Sequence, residues 1–269
     1  MQLHDRPFEP GSEPRYYYPD EAHEGAMLKL RYAVENRRAA ALLAGPSSSG
    51  KTMLVDALMQ QLPDEFSPRV HLVFPQMPSG ELLAYLADEL GAPAADPPRY
   101  TVEESVRRIE QFLVANSRTG RHAVIAIDEA HLLAEGGSLE TMRLLLNFHQ
   151  ASRPCLTLLL VGQTEILPQL SRMPGLDERL GVKSILRPFT PQETTHYVNH
   201  RLRAAGADRA IFNPGALKAV HDLSHGIPGQ INRLCDLVLL VGYAEQSDVI
   251  TADQVESVCE ELVGTAAAA

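Results

Sequence analysis

Cysteine is scarce: Cys155, Cys235 and Cys259 are the three in the chain. They lie far apart, with no paired spacing of the kind that holds zinc or builds a disulfide framework. That pattern fits reduced thiols and a cytoplasmic setting. Basic charge is also short, with 24 Lys and Arg against 34 Asp and Glu and a net charge of −10. A broadly basic surface, as in a protein that coats DNA nonspecifically, is therefore excluded, while a local basic patch remains open. No apolar run approaches the roughly 20 residues needed to span a bilayer, and no signal-peptide pattern opens the chain. The ten histidines form no HExxH or similar metal set.

What is present is a globular composition, 45% hydrophobic and 22% charged over 269 residues. Such a chain can bury one large core or two modest ones. It is organised around Gly45-Pro46-Ser47-Ser48-Ser49-Gly50-Lys51-Thr52. A Gly, four free positions and then Gly-Lys-Thr fit the phosphate-loop pattern. A tight loop between a strand and a helix aims successive backbone N–H groups at one point. The helix adds the positive end of its dipole. Lys51 then reaches the β- and γ-phosphates of ATP, and the Thr52 hydroxyl can ligate Mg²⁺. A Ser/Gly-rich turn can match by chance. Here the apolar run 39–44 precedes the loop as a buried strand and 53–59 follows it as a helix, the context a phosphate loop requires.

The second decisive stretch is 122–129, a continuous apolar strand ending in Asp128 and Glu129. A strand buried on both faces carries no internal charge, so both acids belong at its carboxyl end, where α/β sheets bind ligands. Asp128 there would hold Mg²⁺, and Glu129 would activate the attacking water. An acid suited to activating water argues against a small-molecule kinase. The letters DEAH from Asp128 to His131 also match a helicase box, but a second helicase core domain and an Arg-rich final motif are missing.

The remaining pattern predicts further strands at 69–74, 156–161 and 182–186. Helices are expected over 21–37, 80–90, from a capping box at Thr101-Val102-Glu103-Glu104 to about 116, and over 142–149. In the last of these, Arg143 and Asn147 share a face, either solvated or turned to a neighbouring subunit. Gln163, at the tip of the strand 156–161, either contacts a γ-phosphate or caps a helix. Beyond Pro188 and Pro191 the pattern is entirely helical, with helices at 191–204, 214–224, 228–245 and 251–263. The prolines of the first 22 residues rule out a helix there. That segment is either a disordered lead-in or a strap whose tyrosines approach the adenine. Arg107, Arg108, Arg118 and Arg121 cluster around one helix as the candidate DNA patch or as a solvated basic face.

Together these pieces resemble an AAA+ ATPase: an α/β P-loop fold with a parallel five-stranded sheet flanked by helices, followed by an all-α lid. More closely, the chain resembles the ExeA/GspA-type ATPases and, through them, the TniB, TnsC and MuB transposition ATPases. The specific pieces are GPSSSGKT, AIDEAH, Leu144 to Phe148, LLLVGQTE, LRPFTPQET and GIPGQINRLCD. The resemblance implies an extension over 1–22, a nucleotide-binding core over 23–188, a lid over 189–263 and a disordered tail over 264–269. It implies that Gly45 to Thr52 bind ATP and that Thr52 and Asp128 hold Mg²⁺. Glu129 would be the catalytic base, Gln163 the first sensor and Arg179 an arginine finger offered to the next subunit. Relatives often carry Arg directly after the Gly-x-Pro of the lid. Here that position is Gly229, and Arg233, one turn later, is the candidate substitute. The implied partners are further copies of the chain in an ATP-dependent ring or filament, a protein partner, and DNA as an alternative. Secretion relatives carry a membrane span and an envelope-binding extension after the ATPase part; neither is seen in these residues, so an envelope-spanning role is not expected.

Overall fold

The computed structural model describes residues 3–9, 14–16, 18, 20–94, 101–151 and 153–267. The chain forms two compact units. One comprises Ala22–Ser47 and Lys51–Leu186; the other comprises the described parts of Met1–Glu21, Ser48–Gly50 and Arg187–Ala269.

The first unit is built on a five-stranded parallel sheet. Its strands are β1 (Ala40–Ala44), β2 (Arg69–Leu72), β3 (Ala123–Ile127), β6 (Leu156–Gly162) and β7 (Leu180–Ile185), in the order β2-β3-β6-β1-β7. A short antiparallel pair, β4 (His149–Gln150) and β5 (Arg153–Pro154), lies apart from it. The three central strands are apolar on both faces because helices cover both sides. Leu42, Ile125 and Leu158 join one core with Leu82, Leu86, Ile109 and Leu113. Leu43, Val124 and Leu159 join the other with Leu30, Leu54 and Leu58. The helices supplying these side chains are α1 (Glu21–Glu35), α2 (Lys51–Gln61), α3 (Ser79–Glu89) and α4 (Val102–Arg118). Thr101 caps α4, its hydroxyl accepting the Glu104 N–H at 3.2 Å. The strand 156–162 lies between the phosphate-loop strand and the acid strand. This sets the ends of three adjacent strands, β3, β6 and β1, beside one another at the carboxyl edge.

Local departures from the sequence reading have physical causes. β2 stops at Leu72 rather than continuing to 74, and Val73 and Phe74 are exposed ahead of Pro75. The helix expected at 142–149 is α5, Ser138–Leu145. It starts a turn earlier, after a left-handed Gly137, and ends before His149, which pairs in the β4–β5 hairpin. A 3₁₀ segment, Ala130–Gly137, precedes it, and α6 (Ile166–Ser171) and α7 (Pro174–Asp177) link β6 to β7.

The second unit is helical: α8 (Pro191–Ala204), α9 (Pro214–Ser224), α10 (Pro228–Ala244) and α11 (Ala252–Ala267). Each of the first three starts with proline in its first turn, where the missing N–H costs nothing. Thr190 and Glu193 form a full capping box on α8, and Arg187 holds Glu193 with two hydrogen bonds at 2.7 and 2.8 Å. The tail expected to be disordered from 264 is helical as far as Ala267, consistent with the high helix propensity of alanine. The N-terminal segment is not a free lead-in. Phe8 is buried with Phe189, Tyr197, Val198 and Leu202, and the Arg201 guanidinium donates to the carbonyls of Pro7 and Glu9. Tyr18 packs edge-on against Phe189 and Tyr197; Pro10, Tyr17 and Pro19 lie outside the described residues.

Candidate nucleotide site

The loop between β1 and α2 takes the shape its glycines and serines allow. Ser48 (φ 59°) and Gly50 (φ 89°) both adopt left-handed backbone, which Gly50 accepts without strain. Lys51 opens α2 and is 5% exposed. Its ammonium donates to the carbonyls of Pro46 (2.7 Å) and Gly45 (3.2 Å), folding the side chain back over the loop. Burial pushes Lys51 below the ordinary lysine value, while the negative charges of Glu129, Asp128 and Glu165 pull it back up. Lys51 is thus a buried cation facing three carboxylates from the ends of β3 and β6.

Asp128 is 2% exposed at the carboxyl end of β3. Its Oδ2 accepts from the Thr52 hydroxyl at 2.5 Å, and its Oδ1 accepts from the Glu129 N–H at 2.8 Å. A buried carboxylate and a hydroxyl converging on one point are hard oxygen donors, the type Mg²⁺ takes. Among the described residues no group of three or more His, Cys, Asp or Glu could hold a metal. A metal here would therefore have few protein ligands and take the rest from phosphate and water, as Mg²⁺ does.

Glu129 has left-handed backbone, φ 49° and ψ 34°. For a residue other than glycine that conformation costs on the order of 1–3 kcal/mol, and such strain clusters at functional sites. It turns the chain sharply after the strand and leaves the side chain part-exposed. Glu129 Oε2 lies 3.4 Å from His131 Nδ1. The same nitrogen accepts the Gln163 N–H at 3.4 Å. The Gln163 side chain itself makes no hydrogen bond among the described residues, which leaves it available at the tip of β6.

The structure therefore brings Lys51, Thr52, Asp128 and Glu129 together, with Gln163 tied to them through His131. Arg179 stands elsewhere. It follows α7 and donates to Asn147 Oδ1 (2.7 Å) and the Arg143 carbonyl (3.3 Å) at the end of α5. Its acidic sequence neighbours do not hold it; Asp177 is paired with Lys183 instead. Arg143 in turn grips Glu140 through two 2.7 Å hydrogen bonds. In the helical unit, Arg233 is exposed on α10. Gly229 donates its N–H to the Ser48 carbonyl, which belongs to the same unit, at 3.0 Å. A Cβ at 229 would fall 2.5 Å from Ser48 Cβ, so glycine there permits the close approach.

The candidate basic patch must lose one member. Arg108 is 6% exposed and structural: it donates to the Pro93 and Ala92 carbonyls and to Asp88. Arg107 is paired with Glu103, while Arg118 and Arg121 are exposed.

Sequence reasoning missed two histidines. His71 on β2 pairs with Asp56 of α2 at 2.8 Å, and its Nε2 is 3.9 Å from Asp128 Oδ2. That nitrogen is buried and has no hydrogen-bond partner among the described residues. No local pattern marks His71, since it sits in an ordinary alternating strand. His131 stood in plain view within AIDEAH but carries no role in the motif.

The fold is that of a P-loop AAA+ protein, and the AAA domain model matches residues 34–170, so the chain belongs to the AAA family. It is similar to General secretion pathway protein A of Aeromonas hydrophila, 34% identical over 270 residues, which cover 97% of this chain and 48% of that protein. The chain thus spans about half the length of that relative. Among solved structures, the Aeropyrum pernix ORC2 protein in its ADPNP-ADP complexes aligns with TM-score 0.69 and 15% identity, over 95% of this chain and 71% of that one. Drosophila ORC bound to DNA gives TM-score 0.69 and 15% identity, covering 92% and 62%. The RuvB Holliday junction branch migration motor of Thermotoga maritima gives 0.60 and 20%, covering 91% and 70%. At these identities the structures establish a shared fold. No helix among the described residues is long and apolar enough to cross a membrane.

Proposed function

We propose that this protein is an AAA+ ATPase that binds ATP with Mg²⁺ through Gly45–Thr52 and Asp128 and hydrolyses it with Glu129 as base. The nucleotide state then controls self-assembly and the engagement of a partner. The observation that carries the reading is the convergence of buried Lys51 and Asp128 with the Thr52 hydroxyl beside a strained Glu129. Lys51 supplies charge to the β- and γ-phosphates. Thr52 and Asp128 offer oxygen ligands to Mg²⁺, which when bound neutralises phosphate charge. Glu129 takes a proton from the attacking water, and the Gln163 amide is assigned to read the γ-phosphate. Arg179 is assigned as the finger of the neighbouring subunit's site and Arg233 as a nucleotide contact from the lid.

Two variants test this as a pair. Lys51→Ala is expected to weaken ATP binding by about 2 kcal/mol or more, the scale of a lost charge-assisted contact. Glu129→Gln is expected to bind ATP like the parent and turn over roughly a hundredfold or more slowly. Unchanged nucleotide affinity of Lys51→Ala in calorimetry would remove the phosphate-loop assignment. Parent-like turnover of Glu129→Gln would mean that another group activates the water.

A DNA-dependent regulator is the second reading, supported by the exposed Arg118 and Arg121. Because the net charge is −10, binding has to come from such a patch. ATP-dependent DNA affinity should then fall steeply with salt through counterion release. No retention of DNA at low salt with ATP present would eliminate this alternative.

A further inference from the structure

Two helices of the second unit are capped by the residue that precedes them, and α10 is not. Thr190 accepts the Glu193 N–H at the start of α8, and Asn213 accepts the Ala216 N–H at the start of α9. The residue before α10 is Ile227, whose side chain has no oxygen to offer. Pro228 has no N–H, so Gly229 is the first residue of α10 with a donor to satisfy. Its N–H goes to the Ser48 carbonyl at 3.0 Å. The tip of the phosphate loop is therefore the cap of α10, and Ser48–Gly50 fall in the same compact unit as that helix.

Both sides of this contact are held. The turn before α10 is anchored by the Phe189 N–H, which donates to the Gly226 carbonyl at 2.8 Å, and by the Ser224 hydroxyl, which accepts the Gly226 N–H at 3.3 Å. Gly229 lies so close to the loop that a Cβ there would fall 2.5 Å from Ser48 Cβ and 3.2 Å from the Ser48 carbonyl oxygen. Ser48 itself has left-handed backbone, φ 59°, a conformation that disfavours residues other than glycine. The hydrogen bond from Gly229 offsets part of that strain.

The peptide between Ser48 and Ser49 is trans, so its C=O and N–H point to opposite sides of the chain. With the Ser48 carbonyl turned to α10, the Ser49 N–H is turned away from it. We infer that Gly229 is a positioning residue for the nucleotide. It holds this peptide so that the Ser49 N–H joins the donors that receive phosphate. The coupling runs both ways, and phosphate bound in the loop strengthens the cap of α10. The inference rests on the assignment of Gly45–Thr52 as the ATP site.

Binding of ADP with Mg²⁺ tests this without turnover. Gly229→Ala drives a methyl against Ser48 and is expected to weaken ADP binding about tenfold, the scale of one lost hydrogen bond. Ser48→Gly removes the Cβ that this methyl meets and suits left-handed backbone. In a Ser48→Gly background, Gly229→Ala should therefore cost less than about threefold, because residues in contact are not additive. Equal losses in both backgrounds would locate the defect in α10 alone and overturn the inference. Parent-like affinity of Gly229→Ala beside a weakened Lys51→Ala overturns it too, whereas parent-like affinity of Lys51→Ala removes the nucleotide-site assignment itself.

The parent protein supplies a check that no variant's folding can obscure. Hydrogen exchange at the Gly229 amide should slow by up to about tenfold on saturation with ADP and Mg²⁺, since the coupling is reciprocal. The Ala216 amide, capped within its own helix by Asn213, should slow less. No change at Gly229, or equal slowing at both amides, overturns the inference.

Discussion

Single buried polar side chains fix much of this molecule's chemistry. His122, fully buried at the foot of β3, shows how. Its Nε2 lies 2.8 Å from the Thr157 hydroxyl, which in turn donates to the Arg38 carbonyl at 2.7 Å. The Thr157 proton being committed, His122 must donate through Nε2 and remain neutral. Burial, with a smaller contribution from the Arg37 charge, lowers its pKa to about 4. In the unfolded chain the same group titrates near the ordinary 6.5, so between those values the unfolded state binds the extra proton. The stabilisation is fully present above pH 6.5 and is lost as pH falls toward 4. The loss attributable to His122 amounts to up to about 3 kcal/mol. His122→Gln keeps a donor near the same place but cannot ionise. Urea unfolding at pH 7 and pH 4.5 should show a smaller acid loss in the variant than in the parent. Parallel losses would mean that His122 is not the sensitive group.

At the scale of elements, α3 and α4 are joined by an ion rather than by packing alone. Arg108 of α4 is buried on the carbonyls of Ala92 and Pro93, just after α3, and on Asp88 within it. Arg108→Ala leaves the buried Ala92 carbonyl without this donor and removes the bonds to Pro93 and Asp88, and should destabilise the fold by on the order of 2 kcal/mol. Lysine would restore the charge but not the fork of donors. A denaturation midpoint equal to the parent's would refute this role. The same residue shows where reading a sequence stops. The helix of Arg108 was legible from its capping Thr101 and apolar spacing, and the buried runs of β1, β3 and β6 announced the sheet and the loop beside it. Whether an arginine on that helix faces solvent or two carbonyls sixteen and fifteen residues away depends on how α3 ends. The site divides the same way. Gly45–Thr52 and Asp128–Glu129 are contiguous and therefore readable. His71 beside Asp128, and His131 between Glu129 and Gln163, come together only when separate strands align. The hairpin that shortens α5 was equally hidden, because His149 and Gln150 pair with residues across a turn.

For the whole molecule, the decisive question is whether one subunit completes another's site. Arg179 forms hydrogen bonds with Asn147 and Arg143 at the end of α5, and with none of Lys51, Thr52, Asp128 or Glu129 of its own chain. An arginine held that way can serve a neighbour's γ-phosphate, where it would stabilise transition-state charge and contribute roughly 10³–10⁵ in rate. A purely structural arginine would instead tie α7 to α5, and its loss would lower stability while sparing turnover. Arg179→Ala should therefore retain ATP binding and nearly abolish hydrolysis, with little change in melting temperature. Mixing gives the geometry. Arg179→Ala subunits keep an intact phosphate loop, and Lys51→Ala subunits keep an intact Arg179. Neither is active alone, but a junction that presents Arg179 of the second to the loop of the first is complete. Partial activity should appear on mixing and peak at intermediate ratios. Co-assembly without activity at every ratio, or full turnover by Arg179→Ala alone, would place Arg179 outside the chemistry and assign its bond to Asn147 to the fold.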